Sequence, residues 1–155
     1  MSETFIATSK AADAPNIAPN IYDLRFDGTS RTTMKTGKYV KDPINGDPKL
    51  RWEFTVLGDD GEPLYDQGDA ISVDTITGVG FNIASKTVPA EVKMLKALLT
   101  AAEFQAFQAG NGTNEESLLG RVVQGEVYIN DGGWPGVTNI IKARAKTGKP
   151  AVEEA

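Results

Sequence analysis

The chain has 155 residues, 40% hydrophobic and 24% charged, which suits one domain whose core needs no disulfide or metal. It contains no cysteine and no histidine, which excludes thiol nucleophiles, Cys-ligated zinc and any Ser-His-Asp or Cys-His triad; a non-catalytic protein without a cofactor is expected. A net charge of −5 argues against indiscriminate binding of polyanions.

Residues 1–19 hold five Ala, two Pro and scattered polar side chains, and read as a flexible arm. The first ten lack the basic start and apolar run of a secretory signal, and no stretch approaches the ~20 apolar residues of a membrane span. Cytoplasmic residence is therefore expected. Residues 20–28 alternate, with Tyr22, Leu24 and Phe26 on one face and Asp23, Arg25 and Asp27 on the other, the period of a half-buried strand. Residues 29–48, rich in Thr, Lys, Gly, Pro and Asp, read as a long loop or a frayed hairpin end. Alternation returns at 49–57, with Leu50, Trp52, Phe54 and Val56 inward and Arg51, Glu53 and Thr55 outward.

Gly58-Asp59-Asp60-Gly61 is a hairpin signal. A third, irregular strand follows from near Pro63 through Ile71-Ser72-Val73, and Gly78 to Phe81 form a connector. Val92, Leu95, Leu99, Ala102 and Ala106 recur at helical spacing, so one long helix is expected over 89–109, with Pro89 in its first turn and Gly110 at its stop. Residues 111–118 read as polar loop. Two last strands, 121–129 and 137–145, flank the turn Asn130-Asp131-Gly132-Gly133, and 147–155 form a tail.

Five short strands and one helix suggest a mainly β fold that closes into a small barrel, since closure removes exposed strand edges. The domain is expected over 20–146. With its helix between strands three and four, the chain resembles a group of small phage-encoded OB-fold proteins of the single-stranded-DNA-binding type. The stretches that carry the resemblance are Tyr-Asp-Leu-Arg-Phe (22–26), Leu-Arg-Trp-Glu-Phe-Thr-Val (50–56), the helix with Leu95-Lys96-Ala97-Leu98-Leu99, and Leu-Gly-Arg-Val-Val (119–123). The resemblance implies an OB-like barrel that binds single-stranded DNA in phage replication or recombination, inside the host cell and alongside phage proteins of that metabolism.

Charge is segregated along the chain. Seven basic residues against three acidic ones lie between Arg25 and Arg51. Seven acidic and no basic ones lie between Glu53 and Asp74, and four basic and no acidic ones between Val137 and Pro150. Candidate contacts to a phosphate backbone are Arg31, Lys35, Lys38 and Lys41 on the 29–48 segment, with Arg25, Arg51, Lys142 and Arg144 on outward strand positions. Tyr39, Tyr128 and Trp134 are the candidate stacking rings, because Tyr22, Phe26, Trp52 and Phe54 have inward parity. The acidic run at 59–62, with Asp66 and Asp69, lacks the spacing of a calcium loop and reads as a solvated turn. Gly78-x-Gly80 is too short for a phosphate loop. The other reading is a structural or protein-interaction module, such as a virion or tail component or an adaptor, and a homo-oligomer suits either.

Overall fold

The computed structural model describes residues 14–35, 38–40 and 47–143. Its elements run β1 (Asn20–Lys35), β2 (Lys38–Val40), β3 (Asp47–Leu57), β4 (Tyr65–Asp66), β5 (Asp69–Ala70), β6 (Ser72–Thr77), α1 (Ala90–Leu98), α2 (Ala101–Gln108), α3 (Glu115–Leu118), β7 (Val122–Ile129) and β8 (Pro135–Lys142). The main sheet is antiparallel in the order β6-β3-β1-β7-β8, and β2 adds to the far end of β1. β4 and β5 form a separate small hairpin. It turns through Gln67 (φ 54°) and Gly68 (φ 85°), the two left-handed residues that a tight two-residue turn requires.

Alternation explains the core. Leu24 pairs with Val56 and Phe26 with Phe54, and all four side chains are buried on one face of the sheet. Trp52, Val73, Val123, Val127 and Val137 extend that face, and Met94, Leu95, Leu98 and Leu99 cover it from the helical side. Each large apolar side chain buried this way contributes roughly 1.5–3 kcal/mol. Between Phe26 and Gly28 the β1–β3 register slips by one residue, with Gly28 at φ 137°. The bulge reverses parity: beyond it Thr29 lies opposite Trp52 and Arg31 opposite Leu50.

The expected OB-like barrel is corrected: the sheet is open. Strands β6 and β8 approach each other without hydrogen bonds, and helix α1 packs against β8. Pro135, which lacks an N–H, starts β8, and a bulge with Asn139 at φ 52° bends it. The fold is therefore a mixed α/β arrangement with two unjoined sheet edges, and the resemblance to OB-fold single-strand-binding proteins of phages falls with the barrel.

The single long helix is also corrected, to three helices among the described residues. Thr100 breaks the expected 89–109 helix: its hydroxyl accepts from Glu103 N–H at 3.2 Å and its own N–H donates to the Glu103 carboxylate at 2.8 Å. This reciprocal pair caps the start of α2. The expected loop at 111–118 contains α3, capped by Asn114, whose side chain accepts from Glu116 N–H at 2.9 Å. The 29–48 segment is β structure in β1, β2 and the start of β3 wherever it is described. No described helix is long and apolar enough to cross a membrane.

Candidate functional site

The bulge at Gly28 exchanges the two faces of β1, so that Arg31 joins the face of Leu50 and Trp52. On the outward face lie Arg25 and Asp27 of β1 and Arg51, Glu53 and Thr55 of β3, with Asp74 across on β6. Arg25 reaches Asp27 at 3.1 Å and Thr55 Oγ1 at 3.1 Å. Arg51 pairs with Asp74 and lies 3.7 Å from Glu53. Register sets Glu53 directly opposite Asp74, an unfavourable like-charge pair that Arg51 offsets. Asp27, Arg51, Glu53, Thr55 and Asp74 floor a groove of about 740 Å³ that is walled by the β4–β5 hairpin, Pro15 and the 130–135 turn. Asp27, Glu53, Asp66, Asp69 and Asp74 line it against one cation, Arg51. Trp134, 44% exposed, stands in its wall. Asn130 builds that turn by accepting from Gly132 N–H at 2.9 Å and Trp134 N–H at 3.0 Å.

On the ribbon that β1 forms with β2 and the start of β3 the balance inverts. Residues 29–35 of β1, β2 and the first residues of β3 carry Arg31, Lys35, Lys38 and Lys49 against Asp47. Register sets Lys35 opposite Lys38, Tyr39 opposite Met34, and Lys49 opposite Thr32. This ribbon adjoins a cleft of about 590 Å³ with an apolar floor of Phe26, Leu50, Trp52, Leu95 and Leu118. Phe81 and Phe107 line it as well, and Arg31, Thr29, Ser30, Thr113 and Glu115 are its polar members. The Trp52 indole N–H donates to Thr77 Oγ1 at 2.8 Å, which fixes the ring. Glu115 accepts from Thr29 Oγ1 at 2.7 Å and from Thr29 N–H, and so ties α3 to the bulge.

Phe81 adopts φ 49°, a conformation that costs a bulky residue on the order of 1–3 kcal/mol. The buried Glu91 carboxylate holds it there by accepting from Gly80 N–H at 3.1 Å and Phe81 N–H at 3.4 Å. Gly78 permits that approach, since a Cβ there would lie 2.9 Å from Glu91 Oε2.

The expected contacts therefore do not gather on one face. Arg51 and Trp134 line the acidic groove, and Arg25 is paired with Asp27 beside it. Tyr128 lies on β7 opposite Gly136, with its ring over that glycine: a Cβ at 136 would meet Tyr128 Cζ at 2.8 Å. Lys142 ends β8 opposite Val123. Arg31, Lys35, Lys38 and Tyr39 share the ribbon. Lys41 and Arg144 lie outside the described residues.

Lys49, Phe81, Phe107 and Glu115 escape the sequence reading. Thr29, Thr32 and Thr33 beyond the first strand were the available signal for the ribbon, because β-branched residues favour strands. Nothing local marks Phe81 as a cleft residue. Among the described residues no group of three or more acidic side chains is placed to hold a metal ion. Comparison with protein-family models, with curated proteins and with solved structures gives no match in any of the three.

Proposed function

We propose that this protein binds single-stranded nucleic acid without catalysis, through the ribbon of β1, β2 and β3 beyond the Gly28 bulge. The observation that supports the reading is the register, which collects Arg31, Lys35 and Lys38 at one parity of a three-stranded ribbon, with Lys49 on the same ribbon at the other parity. A cationic track of this kind follows phosphates and is indifferent to sequence. The neighbouring acidic groove repels a strand and confines it to the ribbon.

The test is fluorescence anisotropy of a labelled single strand of about 30 nucleotides, longer than a typical single-strand site, with a duplex control. Three to four phosphate contacts give a log–log salt slope of about −2 to −3. Lys35→Ala, Lys38→Ala and Lys49→Ala combined are expected to flatten that slope and weaken binding. A salt-independent affinity, or an unchanged slope in the triple variant, removes the proposal.

A protein-interaction module is the second reading, favoured by the acidic groove with Trp134 in its wall. A lysine- and arginine-rich partner segment would meet carboxylates there and lay a cation against the indole. If the single strand fails to bind while a basic peptide binds wild type and not Trp134→Ala, this reading replaces the first.

A further inference from the structure

We propose that the cleft beside the ribbon is a binding site for a planar aromatic anion, with the ring against Phe81 and Phe107 and the anionic group at Arg31. The proposal does not require strand binding. Three observations carry it.

The first is shape. The cleft holds about 590 Å³, inside the range of small-molecule sites, and is apolar with a few convergent polar groups. Its floor is buried, with Trp52 2% and Phe26 1% exposed, while Phe81 and Phe107 keep part of their ring surface open. Trp52 and Phe81 meet edge-on at 6.4 Å and Phe81 and Phe107 at 6.3 Å, so Phe81 joins floor to wall. Aromatic rings favour such offset and edge-on contacts, and a flat ring of ligand size continues the series.

The second is strain. The left-handed backbone of Phe81 persists because a buried carboxylate accepts two consecutive backbone N–H groups beneath it. A turn needing only to connect β6 to α1 has no reason to fix a phenylalanine at positive φ. Strained residues held by their surroundings gather at ligand clamps.

The third is charge. The cleft has one cation and one carboxylate among its lining residues, Arg31 and Glu115. Glu115 is engaged by Thr29, through both its N–H and its hydroxyl. Arg31 is exposed and forms no ion pair among the described residues. An anionic group attached to the ring lies within the planar fork of a guanidinium. Two sources supply this chemistry, a free mononucleotide-like molecule or one unstacked nucleotide of a strand lying on the ribbon.

The experiment reads the Trp52 indole N–H in a ¹H–¹⁵N spectrum of the Trp134→Phe protein, where it is the sole tryptophan signal. Deoxythymidine monophosphate, thymidine and an oligodeoxythymidine strand are the probes. The monophosphate is expected to shift the signal saturably, and thymidine to need about tenfold more, as befits loss of a charge-assisted contact. Arg31→Gln, a rim substitution, is expected to bring the two affinities together. A shift by the monophosphate alone assigns a free small molecule, and a shift by the strand as well assigns a nucleotide in context. A strand that binds by anisotropy while none of the three probes moves Trp52 overturns this proposal and leaves the ribbon reading standing. A monophosphate that binds while no strand does overturns the ribbon reading and leaves this one. An Arg31→Gln protein that still prefers the monophosphate tenfold overturns the role of the anion.

Discussion

Glu103 and Arg121 join the helical layer to the sheet. The guanidinium donates to the two carboxylate oxygens at 2.6 and 2.9 Å and to the carbonyl of Leu98 at 3.1 Å, which leaves the α1–α2 junction tied to the start of β7. Hydrogen bonding from Arg121, followed by that from the Thr100 N–H, lowers the Glu103 pKa to about 2. A depressed carboxylate stabilises the fold above its unfolded value and loses that contribution as pH falls through the folded one. The window is therefore about pH 4.5 down to 2. Because Glu103 is 38% exposed, solvent screening holds the effect to about 1 kcal/mol. Urea unfolding at pH 7 and pH 3 is expected to show a smaller acid loss in Glu103→Gln than in wild type; equal losses contradict the assignment. A second residue sets a packing limit. A Cβ on Gly125 would lie 2.7 Å from both Leu24 Cδ1 and Val137 Cγ2, inside the core. Gly125→Ala is expected to destabilise by roughly 1–3 kcal/mol, read from the same denaturation curves.

The break between α1 and α2 was written in the chain as Thr100-Ala-Ala-Glu103, a capping-box pattern inside an apolar repeat. Periodicity hid it. Val92, Leu95 and Leu99 are buried as the repeat requires, but Ala102 is exposed, and Phe104 and Phe107 take over as the core-facing side of α2. The helical stripe thus rotates at the cap. Thr100→Ala removes the hydroxyl acceptor from a buried position, and a loss of about 1 kcal/mol is expected in thermal unfolding. A neutral result means that the Glu103–Arg121 pair alone holds the junction. Strand parity was legible where apolar residues alternate, as at Leu24–Phe26 and Leu50–Val56. It was not legible beyond Gly28, because a one-residue bulge exchanges the two faces and leaves no apolar trace in a Thr- and Lys-rich segment. The sequence pattern places Arg31 in a loop, whereas it lies on the face of Leu50 and Trp52.

Closure and charge belong to the whole molecule, and sequence addresses them least directly. Counting strands suggests a barrel because closing is one way to protect edges; a proline start, a bent strand and a packed helix are another, and they apply to β8. Charge segregation was visible in the chain, but its geometry depended on the bulge, which turns Arg31 to the face of Leu50 and Trp52 while Arg51 stays on the acidic face. The two regions lie close. From Glu53 to Lys49 along β3 is about 13 Å, at roughly 3.3 Å per residue. The screening length is about 30 Å at 0.01 M salt and about 8 Å at 0.15 M. The groove's field therefore reaches the ribbon in dilute buffer and fades at moderate salt. For the proposed strand binding, Glu53→Gln with Asp69→Asn is expected to raise affinity at 0.01 M salt and to leave it unchanged at 0.15 M. On that proposal the ribbon lysines contact the strand directly, and their substitution is expected to weaken binding at both. An acidic-groove variant that changes affinity equally at both salts would place the groove in contact with the ligand and move the interface onto the acidic face.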